Sequence, residues 1–243
     1  MGSKARIAKD ILPIILKDRQ PGQWYVEPFC GGCNTLQLVS GLRLGADIHP
    51  QLIALLKAVQ SGWVPNIYIN EEKYKWIRKY GDDVLKGYAG FLFSFGAHYF
   101  GPYRRQGGKY IKTTDNVKGV LLKSNYASMD YTNRIAINIV KNLNKALQEC
   151  EFQNVAYDRL KIPRASVIYC DPPYVGTASY DKHPFNYNRF YDWCRLQKAK
   201  GHNIFISEYY MPKDFKCVWS KPLKVYINDN VKSVARDEKL FTL

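Results

Sequence analysis

Short runs of apolar and β-branched residues alternate along the chain with stretches whose apolar positions repeat at helical spacing. Gln23 to Val26, Arg43 to Ala46, Glu151 to Tyr157, Ser166 to Cys170 and Asn203 to Tyr209 read as strands. Ile7, Ile11, Leu12, Ile15 and Leu16 form a helical stripe from Ser3 towards Asp18, which Pro13 should kink or split. A short helix is expected from Asn34 or Thr35 to Ser40. Another, opened by His49-Pro50, turns Leu52, Ile53, Leu55, Leu56 and Val59 inward. Further helical patterns cover Glu71 to Tyr80, Asp82 to Phe95, Thr132 to Glu149 and Phe190 to Lys200, with Ile135, Ile139, Leu143 and Leu147 as core positions. Cys217 to Trp219 and Lys224 to Ile227 read as closing strands, and Val231 to Glu238 is basic, then acidic. Strands alternating with helices predict an α/β fold, a mostly parallel sheet flanked by helices.

That rhythm breaks between Trp63 and Asp130, where glycine, tyrosine and basic residues replace regular periodicity. The division expected is therefore 1–62 with 131–243 as one domain, and 63–130 as an insert. Within the insert, Gly107-Gly108 is placed to turn a hairpin between Tyr103 and Tyr110. Overall charge changes the picture of this segment. Lys and Arg number 36 against 21 acids, a formal charge of +15, which favours a polyanionic partner through phosphate neutralisation. Basic residues interleaved with aromatics suit a nucleic-acid surface. Tyr103, Arg104, Arg105, Lys109, Lys112, Asn125 and Tyr126 are the candidate DNA contacts.

The chemistry concentrates where the strand Ser166-Val167-Ile168-Tyr169-Cys170 runs into Asp171-Pro172-Pro173-Tyr174. Proline cannot continue a central strand, so Asp171 stands where the strand ends and the two prolines stiffen the turn. A carboxylate, rigid carbonyls and the exposed ring of Tyr174 should project together from a strand's C-terminal end, where open α/β sheets bind ligands. Such a set suits a flat base bearing an amino group. Asp171 accepts one amine hydrogen, the carbonyl of Pro172 or Pro173 accepts the other, and Tyr174 stacks on the ring.

A second turn, Glu27-Pro28-Phe29-Cys30-Gly31-Gly32-Cys33-Asn34, joins the first strand to a helix, and Gly31-Gly32 allows backbone to approach a ligand closely. Asp47 ends the second strand roughly 20 residues on, the usual position for an acid that holds a ribose diol. Cys30 and Cys33 lack two further ligands at zinc spacing, so no metal site is expected. The six scattered cysteines read as reduced thiols of a cytoplasmic protein. No apolar run suits a membrane span or a signal peptide.

Asp171-Pro172-Pro173-Tyr174 resembles the motif of Dam-like DNA adenine-N6 methyltransferases of phage and bacterial type. Glu27-Pro28-Phe29-Cys30-Gly31-Gly32-Cys33 is similar to their Glu-Pro-Phe-x-Gly-x-Gly cofactor motif, with Cys33 in place of its last glycine. The resemblance implies a Rossmann-like sheet, S-adenosylmethionine as cofactor and double-stranded DNA as partner. It makes 63–130 a target-recognition subdomain. Lys4, Glu27, Pro28, Phe29, Gly31, Gly32, Asp47, Tyr157 and Asp171 become cofactor contacts, and Asp171, Pro172, Pro173 and Tyr174 the catalytic set. The implied reaction methylates the exocyclic amine of a flipped adenine, in a bacterial or phage-infected cell, by a monomer, as in restriction–modification. Methylation of cytosine's amine or of RNA stays open. So does a non-catalytic DNA-binding protein on the same scaffold.

Overall fold

The computed structural model describes residues 4–95, 98–104, 120–174, 185–226 and 233–243; for 120–130, 223–226 and 233–236 it describes the backbone. Arg105, Lys109, Lys112 and the Gly107-Gly108 turn lie outside these residues, and Asn125 and Tyr126 are placed by backbone alone. The chain divides into two compact units, His49–Gln148 and Gly2–Ile48 with Glu149–Leu243. The boundaries differ from the expected 63 and 130, because the helices on either side of that segment bury their apolar faces in its core.

The unit of Gly2–Ile48 and Glu149–Leu243 is built on a seven-stranded sheet: β1 (Tyr25–Glu27), β2 (Arg43–Asp47), β3 (Cys150–Asn154), β4 (Val167–Cys170), β5 (Asn203–Glu208), β6 (Lys216–Tyr226) and β7 (Ser233–Thr242). Their order is β3-β2-β1-β4-β5-β7-β6. The first five are parallel, and β7 runs antiparallel between β5 and β6. β1 and β4 are buried at every position, as central strands of a covered parallel sheet are, and the carboxyl of Glu27 at the end of β1 is buried with them. The winding reverses between β1 and β4. That reversal opens a crevice at their C-terminal ends. Val26, Leu44, Ile168, Ile204 and Ile206 from the sheet join Phe190, Trp193 and Cys194 of α6 (Tyr187–Ala199) in one core.

Three local expectations change. The first helix is shorter than its stripe: α1 covers Ala8–Ile15, after a 3-10 turn at Lys4–Arg6. Pro13 sits in its last turn, where its missing N–H forgoes only the helical bond back to residue 9, and the helix stops two residues later. The turn after β1 ends in a single 3-10 turn, Leu36–Leu38, in place of a helix to Ser40. Residues 233–242 form β7, although Arg236, Asp237, Glu238 and Lys239 give it no apolar pattern. Backbone pairing on both sides, to β5 and β6, holds it. β6 at the sheet's edge tolerates Pro222 for the reason that edge strands do: one side needs no ladder bond.

The unit His49–Gln148 gathers α2 (Pro50–Gln60), α3 (Glu71–Tyr80), α4 (Asp83–Leu92) and α5 (Val120–Ala146) around its own core of Leu55, Val59, Tyr74, Ile77, Tyr88, Phe93 and Val140. Asn70 and Asp82 cap α3 and α4, accepting from the backbone N–H of Lys73 at 2.7 Å and of Leu85 at 2.8 Å. Along α5 and just beyond it, the expected core row holds at Leu147 and at Leu143, which packs on the core, and fails at Ile139. Ala136, Val140 and Leu147 are buried, whereas Ile139 is exposed. Steps of four drift by about 40° per step on a helix with 3.6 residues per turn, so a row spaced only by fours leaves the core face. Mixed steps of three and four stay on it.

Candidate active site

Asp171 stands one residue beyond β4, at the crevice where the sheet's winding reverses. Lys4, from the 3-10 turn before α1, lies buried beside it, with Nζ 3.1 Å from Asp171 Oδ1. The same ammonium stands 3.5 Å from Glu238 Oε2 of β7 and donates to the Tyr174 hydroxyl. Tyr174 in turn donates to Glu238 Oε2 at 2.9 Å. One cation and two carboxylates thus form a largely buried cluster with a phenol. Asp171 keeps 26% of its side-chain surface in solvent.

The ring of Tyr174 is not exposed, contrary to the expectation from sequence; 8% of the residue reaches solvent. Lys4 Nζ lies 4.4 Å from its centroid and Tyr209 meets it edge-on at 4.7 Å. A phenol whose hydroxyl has a buried carboxylate to bond to is drawn inward rather than left at a loop's surface. Burial raises the carboxyl pKa of Asp171, and Lys4 opposes that without cancelling it. Burial pulls the Lys4 ammonium down, but Asp171 and Glu238 together outweigh it and its pKa is raised.

Glu27 ends β1, the strand next to β4, and is buried. It accepts a hydrogen bond from the Tyr25 hydroxyl at 2.8 Å. Burial pushes its pKa up to about 8 against the pull of Thr35 and Tyr25, with the charge of Asp171 adding to the rise. Glu27 and Asp171 therefore sense each other across the crevice. Pro28 after it is buried, Phe29 half-buried, Gly31 half-buried and Gly32 exposed.

The departure at Cys33 has a clear geometry. Its φ is +57°, the left-handed region that a glycine would occupy freely, and Gly31 lies at +47°. For a residue with a Cβ this costs about 1–2 kcal/mol. The turn nonetheless closes: Cys33 N–H donates to Cys30 O at 2.8 Å and the side chain is fully buried. A hydrogen bond with Cys33, then burial, pushes the Cys30 thiol well up, so it stays protonated. Among the described residues no group of three or more His, Cys, Asp or Glu stands close enough to hold a metal.

Asp47, at the tip of β2, accepts from the Gly31 backbone N–H at 3.2 Å, which ties the acid to the turn. Beyond β3, Tyr157 lies stacked on Phe29 at 5.3 Å and 30°. Phe185, Phe190 and Trp193 surround that pair. The crevice thus offers a carboxylate tied to a glycine turn, a buried protonated acid and a bed of aromatic rings. That set fits a nucleoside with a polar tail: a diol for Asp47, a flat ring for Phe29 and Tyr157.

The structure brings Lys4, Glu27, Phe29, Gly31, Asp47, Tyr157, Asp171 and Tyr174 into the same sheet unit. Tyr103 and Arg104 belong to the other. Tyr103 donates its hydroxyl to Ile69 O at 3.1 Å, and the Arg104 backbone N–H donates to Phe93 O at 2.7 Å. Glu238 was not among the residues expected at the site. Its charged neighbours hide the strand it sits on, and the one clue is the apolar Leu240-Phe241 that follows.

Residues 1–89 match the sequence model of the family described as D12 class N6 adenine-specific DNA methyltransferase, the class that the motifs resemble. No curated protein matches the chain. Among solved structures, an rRNA methyltransferase, aviRa, from Streptomyces viridochromogenes is 12% identical, covering 98% of this chain and 84% of its own, with a TM-score of 0.44. SMU.472, described as a putative methyltransferase complexed with SAH, is 12% identical, with 99% of this chain and 52% of its own covered and a TM-score of 0.37.

Proposed function

We propose that this chain, whose first 89 residues match the D12 class of N6 adenine-specific DNA methyltransferases, transfers a methyl group from S-adenosylmethionine to the exocyclic amine of adenine in DNA. The observation that carries the reading is the position of Asp171. It stands at the lip of β4, at the reversal of the winding, beside Glu27 and the glycine turn held by Asp47.

S-adenosylmethionine, when bound, supplies a methyl group on a sulfonium, open to attack by nitrogen. Asp47 would hold the ribose diol, and Phe29 with Tyr157 would lie against the adenine ring. Asp171 and the carbonyl of Pro172 would each accept a hydrogen bond from one hydrogen of the substrate amine, which would free its lone pair to face the methyl donor. The bound sulfonium would supply the methyl group to that nitrogen, the electron pair of its carbon–sulfur bond staying on sulfur. The cationic nitrogen then gives its extra proton to Asp171 or to water. A base inside a duplex cannot reach such a crevice, so the target adenine is flipped out. For that base to lie on Tyr174, the Lys4 ammonium must yield its place over the ring. Holding nitrogen and methyl in line can remove several kcal/mol of the barrier.

Sequencing of modified bases in DNA from a host expressing the chain tests this. N6-methyladenine at a fixed sequence context is expected. Methylcytosine in its place moves the reaction to the cytosine amine. Unmodified DNA, together with no heat on titrating S-adenosylmethionine into the protein, leaves a DNA binder without catalysis.

A further inference from the structure

α3 carries a face that the proposed reaction does not use. Its inner side is Tyr74 and Ile77, both buried in the core of the unit His49–Gln148. Its outer side presents Lys73, Lys75, Arg78 and Lys79 with the rings of Trp76 and Tyr80, 46% and 59% exposed. Glu71 and Glu72 in the first turn and cations towards the end suit the helix dipole, so charge alone needs no partner. The exposed rings are not explained that way. Lys73 Nζ lies over Trp76 at 4.2 Å and Lys79 Nζ over Tyr80 at 4.9 Å, and the two rings are 5.8 Å apart. Lys75 and Arg78 also edge an open cleft of ≈ 620 Å³. Two neighbouring aromatic rings kept half in water and rimmed by cations have the composition of a contact surface, and the formal charge of +15 makes its complement anionic.

We propose that the outer face of α3 docks on the sugar–phosphate backbone of duplex DNA. Lys73, Arg78 and Lys79 neutralise phosphates, and Trp76 with Tyr80 lie against the sugars between them. Such contacts set register and orientation and carry no base information. The inference rests on the DNA half of the function proposed above and adds the surface that holds the duplex.

The test is binding of the full chain to a fluorescent duplex of arbitrary sequence, across a series of salt concentrations. Lys73→Gln/Arg78→Gln/Lys79→Gln should weaken binding and lower the slope of log K against log salt by about 0.9 for each cation removed. Lys73→Arg/Lys79→Arg should keep the wild-type slope. Trp76→Ala should lose affinity with the slope unchanged. Far-UV circular dichroism and thermal melting, read on the same preparations, report that each variant is folded. A triple variant that binds the duplex with wild-type affinity and slope overturns the proposal and leaves the methylation reading standing. Losses seen with a single strand and not with the duplex also overturn it. A wild-type chain that binds no duplex removes the DNA reading itself, and this inference with it.

Discussion

Glu27 makes the sharpest case at the scale of a single residue. A buried carboxyl with a pKa near 8 is protonated at neutral pH, whereas in an unfolded chain it ionises near 4.5. The folded state therefore holds a proton that the unfolded state has released. Its contribution to stability is full below 4.5 and is lost as pH rises towards about 8, at about 1.4 kcal/mol per pH unit between them. The same group couples to ligand. A cation placed in the crevice favours the ionised form, so S-adenosylmethionine should bind more tightly as pH rises from 6.5 to 8.5 and should release a proton at pH 7. Calorimetry in buffers of different ionisation enthalpy measures that release, and Glu27→Gln should abolish it. Lys4 and Glu238 act on Asp171 in opposite directions. Lys4→Gln removes the cation that holds its pKa down, so the acid limb of the rate profile should move to higher pH. Glu238→Gln removes a like charge, so that limb should move to lower pH. Both limbs are read from kcat/KM against pH, and shifts in the same direction would contradict the account.

Beneath the side-chain core that α2 and α4 share, a close approach of backbone sets how near the two helices lie. A Cβ on Gly87 would stand 2.2 Å from the backbone oxygen of Gln51 and 2.9 Å from Leu55 Cβ. Backbone cannot swing aside as a side chain can. Alanine gains about 1 kcal/mol of helix propensity, but forcing the two helices apart costs about 1–3 kcal/mol. Gly87→Ala should therefore lower the melting temperature, which a thermal scan checks. The sequence made some elements plain and hid others, for reasons of the same kind. β4 is buried and apolar throughout, and β1 and β5 carry the apolar runs Tyr25-Val26 and Ile204-Phe205-Ile206, which one sequence can announce. β7 is specified by the strands on either side of it, and Arg236 to Lys239 erase any local pattern. Glu238 stayed invisible for that reason, although it closes the cluster around Asp171. Lys4 and Asp171 are 167 positions apart in the chain, and no local rule pairs them. Asp171 and Asp47 were legible because each ends a strand, where a change from apolar to acidic is abrupt.

For the whole molecule, two cores mean two separable responses to ligand. The core around Val26 and Ile168 supports the crevice, and the core around Tyr74 and Val140 supports α3. A ligand that binds only the folded form stabilises the elements it touches by mass action. Local opening, read by hydrogen exchange, reports which elements those are. S-adenosylmethionine alone should slow exchange at 27–36, at 45–47 and around 155–158, with little change at 71–80. Duplex DNA alone should slow exchange at 71–80 and leave 27–36 as before. Peptide-resolved exchange with each ligand separately measures both patterns. Protection of 71–80 by the cofactor alone would tie α3 to the crevice and away from the duplex. Protection of neither segment by DNA would move the duplex to a surface of the chain other than α3.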